Sequence, residues 1–122
     1  MNKKRIDSYT PKAILALEKI GIAKNNEIVG NYRATISTFG VCITLGSLKS
    51  AVAFLKNEND QSDADRSALL QAICYVIFDQ FMSTEEIFNM VCNSKNEKEL
   101  KSLFVDAAIA IKQAMNIYSL KG

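Results

Sequence analysis

The stretch RATISTFGVCITLGSLKSAVAF, residues 33–54, decides the fold. From Ala34 to Leu48 it runs 15 residues without a charge, yet Thr, Ser and Gly recur throughout. That is too polar for a membrane span and too uncharged for an ordinary surface helix. Its apolar residues still keep a helical rhythm. Val29, Tyr32, Ile36, Phe39 and Ile43 stand 3, 4, 3 and 4 apart, which lays one stripe along a helix. Gly46 predicts a stop and Ser47 a cap. Leu48, Ala51, Val52 and Leu55 predict the inward side of the next helix, over about residues 48–56.

The flanking sequence is helical too. Thr10 before Pro11 predicts a helix start, with Ile14, Leu17 and Ile20 inward and a stop near Gly21. Residues 1–9, with Lys3, Lys4 and Arg5, then read as a flexible basic arm. The second helix is expected to begin near Asn25 or Asn26. NENDQSD, residues 57–63, reads as a polar loop, and Ser62 with Asp65 has capping-box-like spacing. Leu69, Ile73, Val76, Ile77 and Phe81 mark a fourth helix. Ser83 with Glu86 predicts a capped short helix carrying Ile87, Met90 and Val91. Ser94 with Glu97 predicts the cap of the last, which carries Leu100, Phe104, Ala107, Ile111, Ala114 and Tyr118. No segment alternates as a strand does. The expectation is an all-α fold, one compact bundle of five to six helices forming a single domain over residues 1–122.

Composition agrees with a globular chain: 48% of residues are hydrophobic and 23% charged, with a net charge of +2. So small a charge argues against a surface saturated with phosphate contacts but permits local basic patches. No apolar run is long enough to span a bilayer, and no apolar segment follows the basic start, so a cytoplasmic protein without membrane partners is expected. Cys42, Cys74 and Cys92 lack paired spacing and read as reduced, buried thiols.

The chain contains no His and no Trp. The first absence removes the commonest general base and metal ligand, the second the best base-stacking side chain. Asp63 and Asp65 could hold a divalent cation, but acids at a helix N-terminus account for them better. The expectation is a protein that is not an enzyme, with no metal, cofactor or small-molecule substrate.

The positive charges are more informative. Gly30, Arg33, Ser37, Gly40 and Thr44 share a face of the second helix, beside the apolar stripe. Small residues let another backbone come close, whether a neighbouring helix of the bundle or a sugar–phosphate chain. Lys49 and Lys56 are seven apart on the third helix, as are Lys12 and Lys19 on the first, so each pair points one way. Arg33 and Lys49 are the leading candidates for phosphate contact, followed by Lys56, Lys12 and Lys19.

YRATISTFGVCITLGSLKSAVAFLK, residues 32–56, resembles the small α-helical subunit of type III-B (Cmr) CRISPR effector complexes. The shared features are an aromatic–basic start, Tyr32-Arg33, and a Gly/Ser-Leu turn leading into an Ala-hydrophobic-Ala-Phe helix, here GSLKSAVAF. DRSALLQAICYVIF follows in the position of the next long helix. The likeness is specific over about residues 26–78. Relatives carry a Trp in the last helix, where this chain has Tyr118. The resemblance implies a non-catalytic subunit. Copies of it would stack beside one another and contact other Cmr subunits. They would touch the backbone of the crRNA–target RNA duplex without reading sequence, in antiviral defence. The rival expectation from the residues alone is a helical protein–protein adaptor without nucleic-acid binding.

Overall fold

The computed structural model describes residues 1–56 and 65–121. Among these, six helices pack around one core: α1 (Lys3–Ile20), α2 (Asn31–Leu45), α3 (Leu48–Lys56), α4 (Arg66–Phe78), α5 (Thr84–Cys92) and α6 (Glu97–Met115). The all-α bundle is therefore present, with one addition: a small sheet of β1 (Ala23–Lys24), β2 (Glu27–Val29) and β3 (Ser119–Lys121). No helix among the described residues is long and apolar enough to cross a membrane. The 57–63 loop, with Ser62 and Asp63, lies outside the described residues.

α2 buries Tyr32, Ile36, Phe39 and Ile43, four residues of the stripe read from sequence; the first, Val29, lies instead in β2 and is half-buried. α3 turns Leu48, Ala51, Val52 and Leu55 fully inward. Between them, Gly46 adopts φ −119° and ψ −118°. A Cβ there would stand 2.9 Å from the Cys42 carbonyl oxygen, so the turn requires glycine for want of space. Ser47 Oγ accepts from the Ser50 amide at 3.1 Å and caps α3. The Ser83–Glu86 box that opens α5 also forms.

The N-terminus departs from expectation. Residues 3–9 are the first turns of α1, not an arm, and Pro11 lies inside the helix. Asn2 caps the start by accepting from the Arg5 amide at 3.0 Å. Ile6 and Tyr9 are buried. Asp106 on α6 takes the Arg5 guanidinium at 2.9 Å and the Asn2 amide at 3.3 Å. These gains outweigh the ~3 kcal/mol that an interior proline costs. Tying residues 2 and 5 to Asp106 at one end, and Tyr118 to Glu18 at the other, runs α1 parallel to α6.

Asn25 and Asn26 do not begin α2. They form the turn of a β1–β2 hairpin, with φ of 54° and 62°. Two consecutive left-handed residues make the tight hairpin turn whose twist suits antiparallel strands, and Asn tolerates that region. β3 then pairs in parallel with β2. Three further boundaries shift. Asp65, not Ser62, is the N-cap of α4, accepting from the Ala68 amide. Asn96, not Ser94, caps α6 and pairs reciprocally with Glu99. α4 ends at Phe78, because Asp79 enters the left-handed region at φ 61°, which places Phe81 outside the helix. Of the cysteines, Cys74 is buried, Cys42 partly so, and Cys92 exposed, where all three were expected inside.

Candidate nucleic-acid interface

The five basic residues singled out in the sequence separate into three places. Arg33 faces inward. Its guanidinium donates to the carbonyls of Met115 at 3.0 Å and Tyr118 at 3.5 Å, closing the C-terminal end of α6. Arg33 Nε is buried and takes no hydrogen-bond partner among the described residues. Its neighbour Tyr32 is also engaged inside, its hydroxyl accepting from the Asp65 amide at 2.9 Å. The aromatic–basic pair thus links α2 to the ends of α4 and α6.

Lys49 and Lys56 leave α3 on its outer side. Lys49 is exposed. Lys56 places its ammonium 5.8 Å from the centre of the Phe88 ring on α5. Beside them Arg66, at the start of α4, stacks on Phe54 with 4.1 Å between guanidinium carbon and ring centre. Arg66 was not singled out from the sequence. Its partner ring lies twelve residues away in the chain, and no local spacing announces it.

Lys12 and Lys19 reach from α1 to the end of α4, which runs antiparallel to it. Lys12 Nζ pairs with Asp79 at 2.9 Å. Lys19 Nζ donates to the Tyr75 hydroxyl at 3.3 Å and lies 5.3 Å from the centre of its ring. Tyr75 in turn stacks on Phe81, with ring centres 4.5 Å apart and planes 22° from parallel. Two of the expected cations are therefore gathered beside an aromatic pair, a combination suited to a nucleic-acid chain.

The small-residue face of α2 has a different fate. Ser37, Gly40 and Thr44 line an open groove of about 530 Å³ against Val105, Ala108, Ile109 and Lys112 of α6. A Cβ on Gly40 would meet nothing within 4 Å, so this glycine serves no close packing among the described residues. Val41 and Leu45 on the rim are 54% and 83% exposed. Most of the groove surface is apolar, with Lys112 supplying a charge.

No family model, curated protein or solved structure matches the chain.

Proposed function

We propose that the chain is a non-catalytic small subunit of a type III-B (Cmr) CRISPR ribonucleoprotein effector. It acts in the cytoplasm in antiviral defence. Copies stack along the complex, meet other Cmr subunits, and touch the backbone of the crRNA–target RNA duplex. The observation that carries this reading is the outer side of α2. The resemblance lies in Tyr32–Lys56, and the uncharged outer side of α2 within that segment borders an apolar groove that nothing in the described chain fills. A subunit that stacks needs such a surface. The exposed Lys49 and the Lys19–Tyr75 patch support backbone contact that does not read sequence. Specificity would then come from guide–target pairing.

The test is capture of the tagged chain from its native cell, with sequencing of the RNA that follows it. Short RNAs sharing a repeat-derived 5′ end are the expected result, and their absence removes the reading. The groove also favours a second reading, a protein–protein adaptor without RNA. Salt separates the two. Phosphate contact weakens steeply as salt rises through counterion release, while an apolar contact persists.

A further inference from the structure

Phe81 is 44% exposed, yet it is not a loose side chain. The turn that carries it is fixed on both sides. Before it, the Asp79 amide donates to the Tyr75 carbonyl at 2.8 Å, and the Asp79 carboxylate is tied to Lys12. After it, Gln71 Nε2 donates to the Met82 carbonyl at 3.1 Å. One face of the Phe81 ring lies on Tyr75, and part of the side chain is left to solvent. Lys12, Leu15 and Lys19 follow one another on the adjoining face of α1 at spacings of 3 and 4, and Leu15 is itself 42% exposed. Among the described residues Lys19 has no carboxylate partner, whereas Lys12 is neutralised by Asp79.

From this geometry we infer that Phe81, backed by Tyr75 against which Lys19 lies, is a stacking platform for an unpaired base of a single-stranded RNA segment. The inference rests on the RNA-binding reading above and adds a second mode of contact to it. A flat, fixed ring partly open to solvent can offer what every base can use, a π-face, and does so without sequence preference. Holding the ring in place beforehand removes the ordering cost that a mobile side chain would carry on binding. A nucleotide stacked there brings its phosphate close by, and Lys19, against the neighbouring Tyr75 ring, is a cation without a carboxylate partner among the described residues.

Since the chain has no Trp, Phe81→Trp installs a single indole at the platform. Titration of that variant with single-stranded RNA of about ten nucleotides should quench the indole emission saturably, and the fully paired duplex should quench it less. Phe81→Ala and Phe81→Leu should both weaken the single strand about 5- to 150-fold, the worth of one stacked base. Each variant should keep the helical circular dichroism of the parent. Emission that ignores the RNA, or a Phe81→Leu variant that binds as the parent does, overturns the inference. Repeat-derived RNA captured from cells with a silent indole would sink the platform but spare the CRISPR reading. A quenched indole without captured repeat-derived RNA would do the reverse.

Discussion

Arg5 Nη1 lies 2.9 Å from the Oδ2 atom of Asp106, whose side chain is fully buried, while the Arg5 side chain is 29% exposed. The pair joins α1 to α6, and its two members are not equivalent. Arg5→Met strands a buried carboxylate with the Asn2 amide and is expected to cost about 3 kcal/mol. Asp106→Asn keeps the shape and an acceptor for Arg5, and should cost about 1–2 kcal/mol. Urea unfolding of both variants checks the order. Equal costs would mean that Asp106 is satisfied without Arg5.

The two glycines of the α2–α3 segment should respond oppositely to alanine. Gly46→Ala drives a Cβ to 2.9 Å from the Cys42 carbonyl oxygen, a backbone atom with little freedom to yield, and should destabilise by about 1–3 kcal/mol. Gly40→Ala meets open space within a helix and should stabilise by about 0.5–1 kcal/mol. If copies stack through the α2–α6 groove, the same Gly40→Ala substitution should weaken self-association while raising the melting temperature. Sedimentation alongside calorimetry reads both.

Tyr118 donates to Glu18 Oε1 at 2.9 Å. Burial, and then the hydrogen bond and negative charge of Glu18, push its phenol up to about 12. The folded state thus holds the proton more tightly than the unfolded chain, whose phenol titrates near 10. The stabilisation is complete below pH 10 and is lost as the pH rises from 10 towards 12. Tyr9 and Tyr32, raised chiefly by burial, act in the same direction. Tyr118→Phe should flatten part of this alkaline decline in denaturant midpoints. An unchanged slope would remove Tyr118 as a contributor.

Arg33 and Lys49 should now separate. Arg33→Glu removes the donor that closes α6 and is expected to destabilise the fold. Lys49→Glu alters an exposed side chain and should leave the fold intact. If Lys49 meets a phosphate, RNA affinity falls and the salt slope drops by about 0.7 on a single strand and about 0.9 on a B-DNA-like duplex, the share of one phosphate. Circular dichroism followed by binding at several salt concentrations decides. A stable Arg33→Glu variant, or a Lys49→Glu variant with an unchanged slope, goes against these assignments.

Alkylation should proceed in the order Cys92, Cys42, Cys74, following their exposure. Burial pushes the Cys74 thiol up to about 12, so it should react only as the protein unfolds. Mass spectrometry of timed aliquots gives the order directly.

What could be read from the chain was whatever repeats with a helical period. α3 matches its expected bounds, and the inward stripe of α2 lies where its spacing puts it, because both are amphipathic over two turns or more. The hairpin is too short for any period. Its signal is the Asn25-Asn26 pair, which reads equally well as a helix start. The Thr10-Pro11 signal misplaced α1 because the forces that carry the helix through Pro11 come from residues about a hundred positions away. The shared direction of Lys12 and Lys19 was legible. The Tyr75–Phe81 pair was not, since Phe81 extends the apolar pattern of α4 and only the left-handed turn at Asp79 diverts it. Nor does anything local reveal that Arg33 spends its guanidinium on carbonyls more than eighty residues along.

The parallel pairing of β3 with β2, and the run of α6 beside α1, bear on how the chain matures during synthesis. Asn2, Arg5, Glu18 and Arg33 find their partners at Asp106, Met115 and Tyr118, and the Asn26 carbonyl accepts from the Ser119 amide at 2.9 Å. None of these partners exists until the ribosome has passed most of the message for residues 1–122. Until they exist, α1 can pack only on α4, through pairs such as Lys12–Asp79 and Lys19–Tyr75. Once the tail arrives, it locks both ends together. The Ser119 amide, held by the Asn26 carbonyl, should then exchange more slowly than the amides of a segment that pairs with nothing.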